Sequence, residues 1–231
     1  NIVDYILVKQ GAKINAVGTP DKPIVMTSEK EEPGAWGGIH ICGKAHTNAE
    51  GGKGSSEIGG AVYGGNDDAD NSGTLQYIRL EYTGFAFDEE HEANGISFYG
   101  VGNGTIVDHC EAYKGSDDGF EFFGGSVNVS NMVVVSCSDD SFDWTEGWNG
   151  KGTDLVAYQE AKATLGYDCD CLIEADNNEN DNAATPVSHP VLKNLILAGN
   201  GESKQGIRLR RGTQVDIDNA KVCGKGQPLG V

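Results

Sequence analysis

The sequence predicts an all-β fold of parallel-solenoid type, on three observations. A short strand motif recurs in register, its spacing matches one solenoid coil, and helical periodicity is weak throughout. Three segments align without gaps: Asn94-Gly-Ile-Ser-Phe-Tyr-Gly, Asp118-Gly-Phe-Glu-Phe-Phe-Gly and Asp140-Ser-Phe-Asp-Trp-Thr-Glu, with starts 24 and 22 residues apart. Cys171-Leu-Ile-Glu-Ala-Asp follows 31 residues on, then Gln205-Gly-Ile-Arg-Leu, and Gly37-Gly-Ile-His-Ile-Cys-Gly precedes them. A second strand type repeats too. Asn194-Leu-Ile-Leu-Ala-Gly matches Asn219-Ala-Lys-Val-Cys-Gly at 25 residues, and Tyr77-Ile-Arg-Leu-Glu-Tyr-Thr-Gly aligns with Asp108-His-Cys-Glu-Ala-Tyr-Lys-Gly. Coils of 22–25 residues, each two or three strands joined by Gly/Asn/Asp turns, stack at about 4.8 Å and bury a continuous core. A leucine-rich repeat is excluded because its L-x-x-L-x-L frame is absent. A β-sandwich leaves the in-register repeats unexplained. The best helical stretch, 155–164, is short and uncapped.

Composition narrows the partners. The 231 residues include 34 Gly and carry a net charge of −18, with 38% apolar residues, enough for a core in one domain. So acidic a chain repels nucleic acid and anionic lipid and favours cations or neutral and basic partners. No run is long enough to span a membrane. No linker divides residues 1–231, which read as a single β-helix domain, a piece of a longer chain. Polar excursions at 50–56 and 176–182 are expected to emerge as loops on one face. The six cysteines, Cys42, Cys110, Cys137, Cys169, Cys171 and Cys223, fit either one to three disulfides or buried free thiols.

Stacking turns the alignment into chemistry. The pairs Ile96/Phe98, Phe120/Phe122, Phe142/Trp144 and Ile207/Leu209 point inward, so the residue between each pair points out. The outward positions are His40, Ser97, Glu121, Asp143, Glu174 and Arg208. Glu121, Asp143 and Glu174 therefore stack on successive coils. Asp117, Asp139 and Asp170 form a second column just before the strands, beside Asp118 and Asp140. Carboxylates one strand spacing apart repel by roughly 1 kcal/mol in water and more when partly buried. Relief comes from a bound cation, a shared proton, arginine pairing or backbone N–H donors at turns. Calcium is the cofactor such oxygen clusters suit, with Asp117, Asp139 and Asp170 as candidate ligands. A separate calcium candidate is Asp68-x-Asp70-x-Ser72-Gly73, which opens like an EF-hand loop but carries Arg79 at its twelfth position. His40-x-Cys42-x3-His46 offers zinc-type ligands without an identifiable fourth. Tyr99 and Phe123 are expected to face outward, and Trp148 to lie in the turn after the Asp143 strand. Aromatic faces beside carboxylates, Arg208 and Arg210 suit carbohydrate, though such rings also pack on one another.

The combination Trp36-Gly-Gly-Ile, Asp70-Asn-Ser-Gly, Asn94-Gly-Ile-x-Phe-Tyr-Gly-Val-Gly, Ser116-Asp-Asp-Gly-Phe-Glu-Phe-Phe-Gly-Gly, Asp140-Ser-Phe-Asp-Trp-Thr and Ile173-Glu-Ala-Asp-Asn resembles a family of exported β-helix-like proteins of Bacteroidota, often lipoproteins. The resemblance implies a right-handed parallel β-helix and export to the cell surface, with anchoring at the outer membrane compatible with it and no particular activity. Gly115-Ser-Asp-Asp and Ile207-Arg-Leu are also similar to motifs of pectin-degrading β-helix hydrolases, whose Gly-His-Gly motif this sequence lacks. The expected function is a surface solenoid that binds a glycan or another macromolecule along one face. The alternatives are a polysaccharide hydrolase using Glu121, Asp143 or Glu174 as acid and base, a calcium-dependent lyase with Arg208, Arg210 or Lys204 as base, and a structural stalk.

Overall fold

The computed structural model describes residues 3–87, 91–202 and 204–231. Two parallel sheets wind through it. The first contains eight short strands: Ile6–Val8, Ile39–Cys42, Ile96–Tyr99, Phe120–Phe123, Phe142–Thr145, Ile173–Ala175, Gln205–Leu209 and Gln227–Gly230. The second runs through Ile14–Val17, Gly73–Glu81, Ile106–Tyr113, Asn128–Val135, Lys151–Tyr158, Val191–Ala198 and Asp216–Cys223, with Ile24–Met26 also paired to Gly73–Glu81. The inner coils each contribute one strand to each sheet, and the chain climbs one strand spacing per turn as a right-handed parallel β-helix.

The core is the sum of the inward columns. Ile39, Ile96, Phe120, Phe142, Ile173 and Ile207 form one, and Ile41, Phe98, Phe122, Trp144 and Ala175 the next, all buried. Phe98 and Phe122 stack at 5.0 Å between ring centroids. The long strands supply Ile78, Cys110, Met132, Leu155 and Leu195 from the other side.

The long strands bend. Each carries one left-handed residue, and the register stacks them: Tyr77, His109, Asn131, Asp154, Asn194 and Asn219, with φ between 52° and 62°. Asn and Asp tolerate this conformation, and their side chains bond along the column, Asn194 Nδ2 to Asp154 Oδ1 at 2.9 Å and Asn219 Nδ2 to Asn194 Oδ1 at 2.8 Å.

Two sequence expectations change, and of the two alternatives for the cysteines the structure has one. Tyr77 lies opposite His109, not Asp108, because Ile78 pairs with Cys110 and Leu80 with Ala112. The alignment slipped by one residue, which would have turned the inward face of a strand outward. The 155–164 stretch is not a helix. Leu155 and Ala157 face the core from the strand Lys151–Tyr158, and only Lys162–Leu165 makes a helical turn, closed by Gly166 at φ 81°. The cysteines are free thiols, five buried and Cys223 exposed.

Candidate functional site

The short-strand register sets His40, Ser97, Glu121, Asp143, Glu174 and Arg208 in one outward column. Each member is partnered differently. Asn94 Nδ2 donates to Glu121 Oε2 at 2.6 Å and to Ser97 Oγ at 3.0 Å. Glu174 takes Arg208 at 2.9 Å and is also paired with Arg210. Arg210 reaches on to buried Asp176 with two bonds of 2.9 Å, and Arg211 joins the same carboxylate at 2.6 Å. Asp143 stands between these two systems. Its Oδ1 is sealed from solvent and has no hydrogen-bond partner among the described residues.

The electrostatics follow from that placement. Burial, with the Glu57, Asp143 and Asp117 charges added, pushes the Glu121 carboxyl well above the usual range, against the bond from Asn94. Burial pushes Asp143 up as well, helped by Glu174 and Asp176 and opposed by Arg210. Glu174 is raised by burial and held back by Arg210 and Arg208.

The second column resolves into two roles. Asp118 and Asp140 cap backbone from coil to coil: Asn94 Oδ1 accepts from Asp118 N, Asp118 Oδ1 from Asp140 N at 2.9 Å, and Asp140 Oδ1 from Cys171 N at 2.6 Å. This is the backbone-donor relief of carboxylate crowding. Of the other three, Asp139 is exposed, Asp170 half-buried and Asp117 buried. Asp170 is paired with Lys204 at 3.1 Å, and burial beside Glu92 and Asp139 pushes Asp117 up to about 8. Asp139 is also raised, by burial and then Asp170 and Glu92.

Among the described residues, four clusters bring ligand atoms within 4.8 Å of one another: Asp117/Asp118/Asp139, Asp139/Asp140/Asp170, Asp118/Glu121/Asp143 and Asp140/Cys171/Glu174. The expected trio Asp117, Asp139 and Asp170 does not meet in one cluster; Asp139 is shared between a cluster with Asp117 and another with Asp170. The loop at Asp68, Asp70 and Ser72 gives no such cluster among the described residues. Asp68 Oδ1 accepts from His46 N at 3.1 Å and meets His46 Nδ1 at 2.7 Å, while Asp70 Oδ2 accepts from Lys44 N at 3.1 Å and faces Ser72 Oγ at 3.4 Å. These carboxylates fasten a loop base, which corrects the EF-hand reading. His40, Cys42 and His46 do not converge either, since His40 Nε2 bonds Gly37 O and His46 turns to Asp68.

Two insertions wall this face, residues 44–66 with the small antiparallel pair Gly54–Ser55 and Val62–Tyr63, and residues 176–188. Asn48 ties them together: its Nδ2 donates to Asn177 Oδ1 at 2.9 Å, and Asn178 Nδ2 donates back to Asn48 Oδ1 at 3.0 Å. Between the insertions and the strands lies a cavity of about 330 Å³, lined by Glu57, Tyr63, Tyr99, Glu121, Phe123, Asp143, Glu146, Asn178 and Arg210 among others. A smaller one of about 190 Å³ adjoins it over Asp117, Asp118 and Asp139 and shares Glu57, Glu121 and Asp143 with it. Together they form an acidic trough.

The aromatic expectations need correction. Tyr99 and Phe123 do point away from the core, but the 44–66 insertion covers them. Their rings stack at 4.4 Å, with Tyr63 at 5.1 Å from Tyr99, so they make the trough floor rather than an open platform. Trp148 is a core residue, stacked on Phe122 at 4.1 Å with its indole N–H on Val127 O. The sequence reading missed Glu57, Tyr63, Glu146 and Asp176. Tyr99 O–H donates to Glu57 at 3.2 Å, and Tyr63 O–H donates to Glu146 at 2.8 Å. Burial lifts Glu57 to about 7 and raises Glu146 too. Glu146 alone left a signal, because it follows its strand where earlier coils have Gly100 and Gly124.

Comparison with curated proteins and with solved structures gives no match. A family model described as a pectate-lyase-like β-helix domain matches residues 1–231. The in-register coils, the inward aromatic columns and this full-length match agree: the chain belongs to the pectate-lyase-like β-helix family.

Proposed function

We propose that the protein binds a neutral or amine-bearing polysaccharide in the acidic trough. The observation that carries the reading is the cavity of about 330 Å³ over Glu121 and Asp143, walled by both insertions. A flat acidic face would suit a spacer. A walled trough with aromatic floor and carboxylate edge suits a sugar chain with hydroxyl or ammonium donors. An anionic chain is disfavoured, because the only cations in the lining among the described residues, Arg210 and Arg211, are already paired with Asp176, and the carboxyls around them offer an anion no counter-charge. A bound calcium ion would lower that barrier. A glycan array probed at two calcium levels tests this: neutral or amino glycans retained by the wild type and retained more weakly by Asp143→Asn support it, and retention of polyuronides alone without calcium overturns it. Export to the cell surface belongs to the same proposal, checked by fractionation of the native host.

A second reading, hydrolysis, is favoured by one specific observation. Glu121 and Asp143 bring carboxylate oxygens within 4.8 Å of each other; burial and the Asp143 charge hold Glu121 toward the protonated acid, while Arg210 opposes the rise that burial causes at Asp143 and favours its ionised form as the nucleophile. Two carboxyls that close suit a retaining mechanism, in which one protonates the leaving oxygen and the other attacks the anomeric carbon. Glu121→Gln and Asp143→Asn then each abolish release of reducing ends. No release by the wild type from any glycan it binds would leave the site as a binding trough.

A further inference from the structure

The kink column of the long strands is not uniform. From the strand Asn128–Val135 onward its members are Asn131, Asp154, Asn194 and Asn219, but the two before them are Tyr77 and His109. Left-handed backbone suits Asn, Asp and His and costs a tyrosine free energy. The preceding coil has no single kink residue. Val17 pairs with Gln76 and Ile24 with Ile78, so residues 18–23 stand where later coils carry one residue. They form a tight turn closed by two backbone hydrogen bonds between Thr19 and Lys22, each 3.0 Å. Beside that turn the Tyr77 and His109 rings stack with centroids 4.5 Å apart.

The turn, the rings and the next outward column bound a cavity of about 330 Å³, within the ~300–1,000 Å³ of small-ligand sites. Pro20, Pro23 and the Tyr77 ring give it an apolar side. Arg79 and Glu111, joined at 2.8 and 2.9 Å, give it a polar one. The surroundings lean acidic: Arg79 is held by both Glu111 and Glu81, and His109 meets Asp108 at 2.8 Å.

We propose that this groove, formed by the long-strand sheet and separate from the acidic trough, is a second binding site that takes one pyranose unit of a neutral polysaccharide. A pyranose has an apolar C–H face and a polar hydroxyl rim, which the two sides of the groove complement. An anionic ligand is repelled by Glu81, Glu111 and Asp108 around the one guanidinium, and a wholly apolar one strips water from Arg79 and Glu111 without replacing it.

Tyr77→Asn and His109→Asn test the site cleanly, since both install the residue that the column uses elsewhere. The probes are cellohexaose, xylohexaose and mannohexaose, followed by amide NMR shifts. The expected result is saturable shifts at Thr19, Tyr77 and His109 with at least one probe. Binding there weakens by about tenfold in Tyr77→Asn and in His109→Asn and is unchanged in Asp143→Asn, which separates this site from the trough. The melting temperature of Tyr77→Asn stays at or above that of the wild type. No shift with any probe, or shifts that survive both variants, overturns the proposal. A fall of more than about 5 °C in Tyr77→Asn overturns it too, by assigning the ring to packing.

Discussion

Glu146 adopts left-handed backbone, φ 55°, at a position where the preceding two coils place Gly100 and Gly124 at φ 54° and 65°. A glutamate there stores strain that its side chain must offset. It does so by accepting from Thr47 Oγ1 at 2.7 Å and Tyr63 O–H at 2.8 Å, which ties the 44–66 insertion to the solenoid. Glu146→Gly should therefore leave the core melt nearly unchanged while hydrogen exchange at residues 53–64 accelerates. Slow exchange there in the variant would mean that the insertion is held by its other contacts alone. Trp148 and Phe142 belong to the core, at 1% and 2% exposure. Trp148→Ala and Phe142→Ala should each cost about 3–5 kcal/mol in urea denaturation. A loss below about 1 kcal/mol for Trp148→Ala would return that ring to the ligand-binding set.

At the scale of elements, the two insertions act as one wall because Asn48 bonds both ways across to Asn177 and Asn178. Asn48 is 8% exposed, so truncation leaves buried partners unsatisfied. Asn48→Ala should cost about 1–3 kcal/mol and weaken glycan retention by the trough, while binding at the long-strand groove persists. Equal loss at both would show a general loosening instead. What was legible in the sequence divides along this line. The carboxylate column was, because strand side chains alternate with period two and the motif Phe120-Glu121-Phe122 repeats as Phe142-Asp143-Trp144. The trough was not, because its walls come from segments that share no repeat with the coils. Their contacts span 83 residues from Tyr63 to Glu146 and 130 from Asn48 to Asn178. The slip at Tyr77 has a related cause: one kink residue breaks the strand alternation, so inward and outward faces exchange across it.

At the scale of the whole molecule, the acid balance makes stability depend on pH with a definite sign. Glu57 is raised to about 7 and Asp117 to about 8, burial being the first cause of each, against unfolded values near ~4. A carboxyl raised in the fold contributes stability that is fully present below its unfolded pKa and is lost as pH rises through the folded one. The loss therefore runs from about pH 4 to about pH 8, the window those shifts define. Glu121, Asp143 and Asp139 shift in the same direction. His40 works the other way. Burial lowers it to about 4, so its contribution is present above about pH 6.5 and lost as pH falls toward 4. The raised carboxyls outnumber this one histidine, so the melting temperature should be highest near pH 4 and fall toward pH 8. Each kcal/mol lost lowers it by roughly 2–4 °C at this size. Calcium separates the two ways of relieving the trough. If a cation neutralises Asp117, Asp139 and their neighbours, millimolar calcium restores the melting temperature at pH 8 and does little at pH 5, where protons already occupy the carboxyls. Asp139→Asn then reduces the calcium response. A melting temperature flat from pH 5 to 8 would contradict the buried, mutually repelling carboxyls themselves. A pH-dependent melt that calcium leaves untouched would assign the relief to protons alone, which is the state an acid–base pair at Glu121 and Asp143 requires.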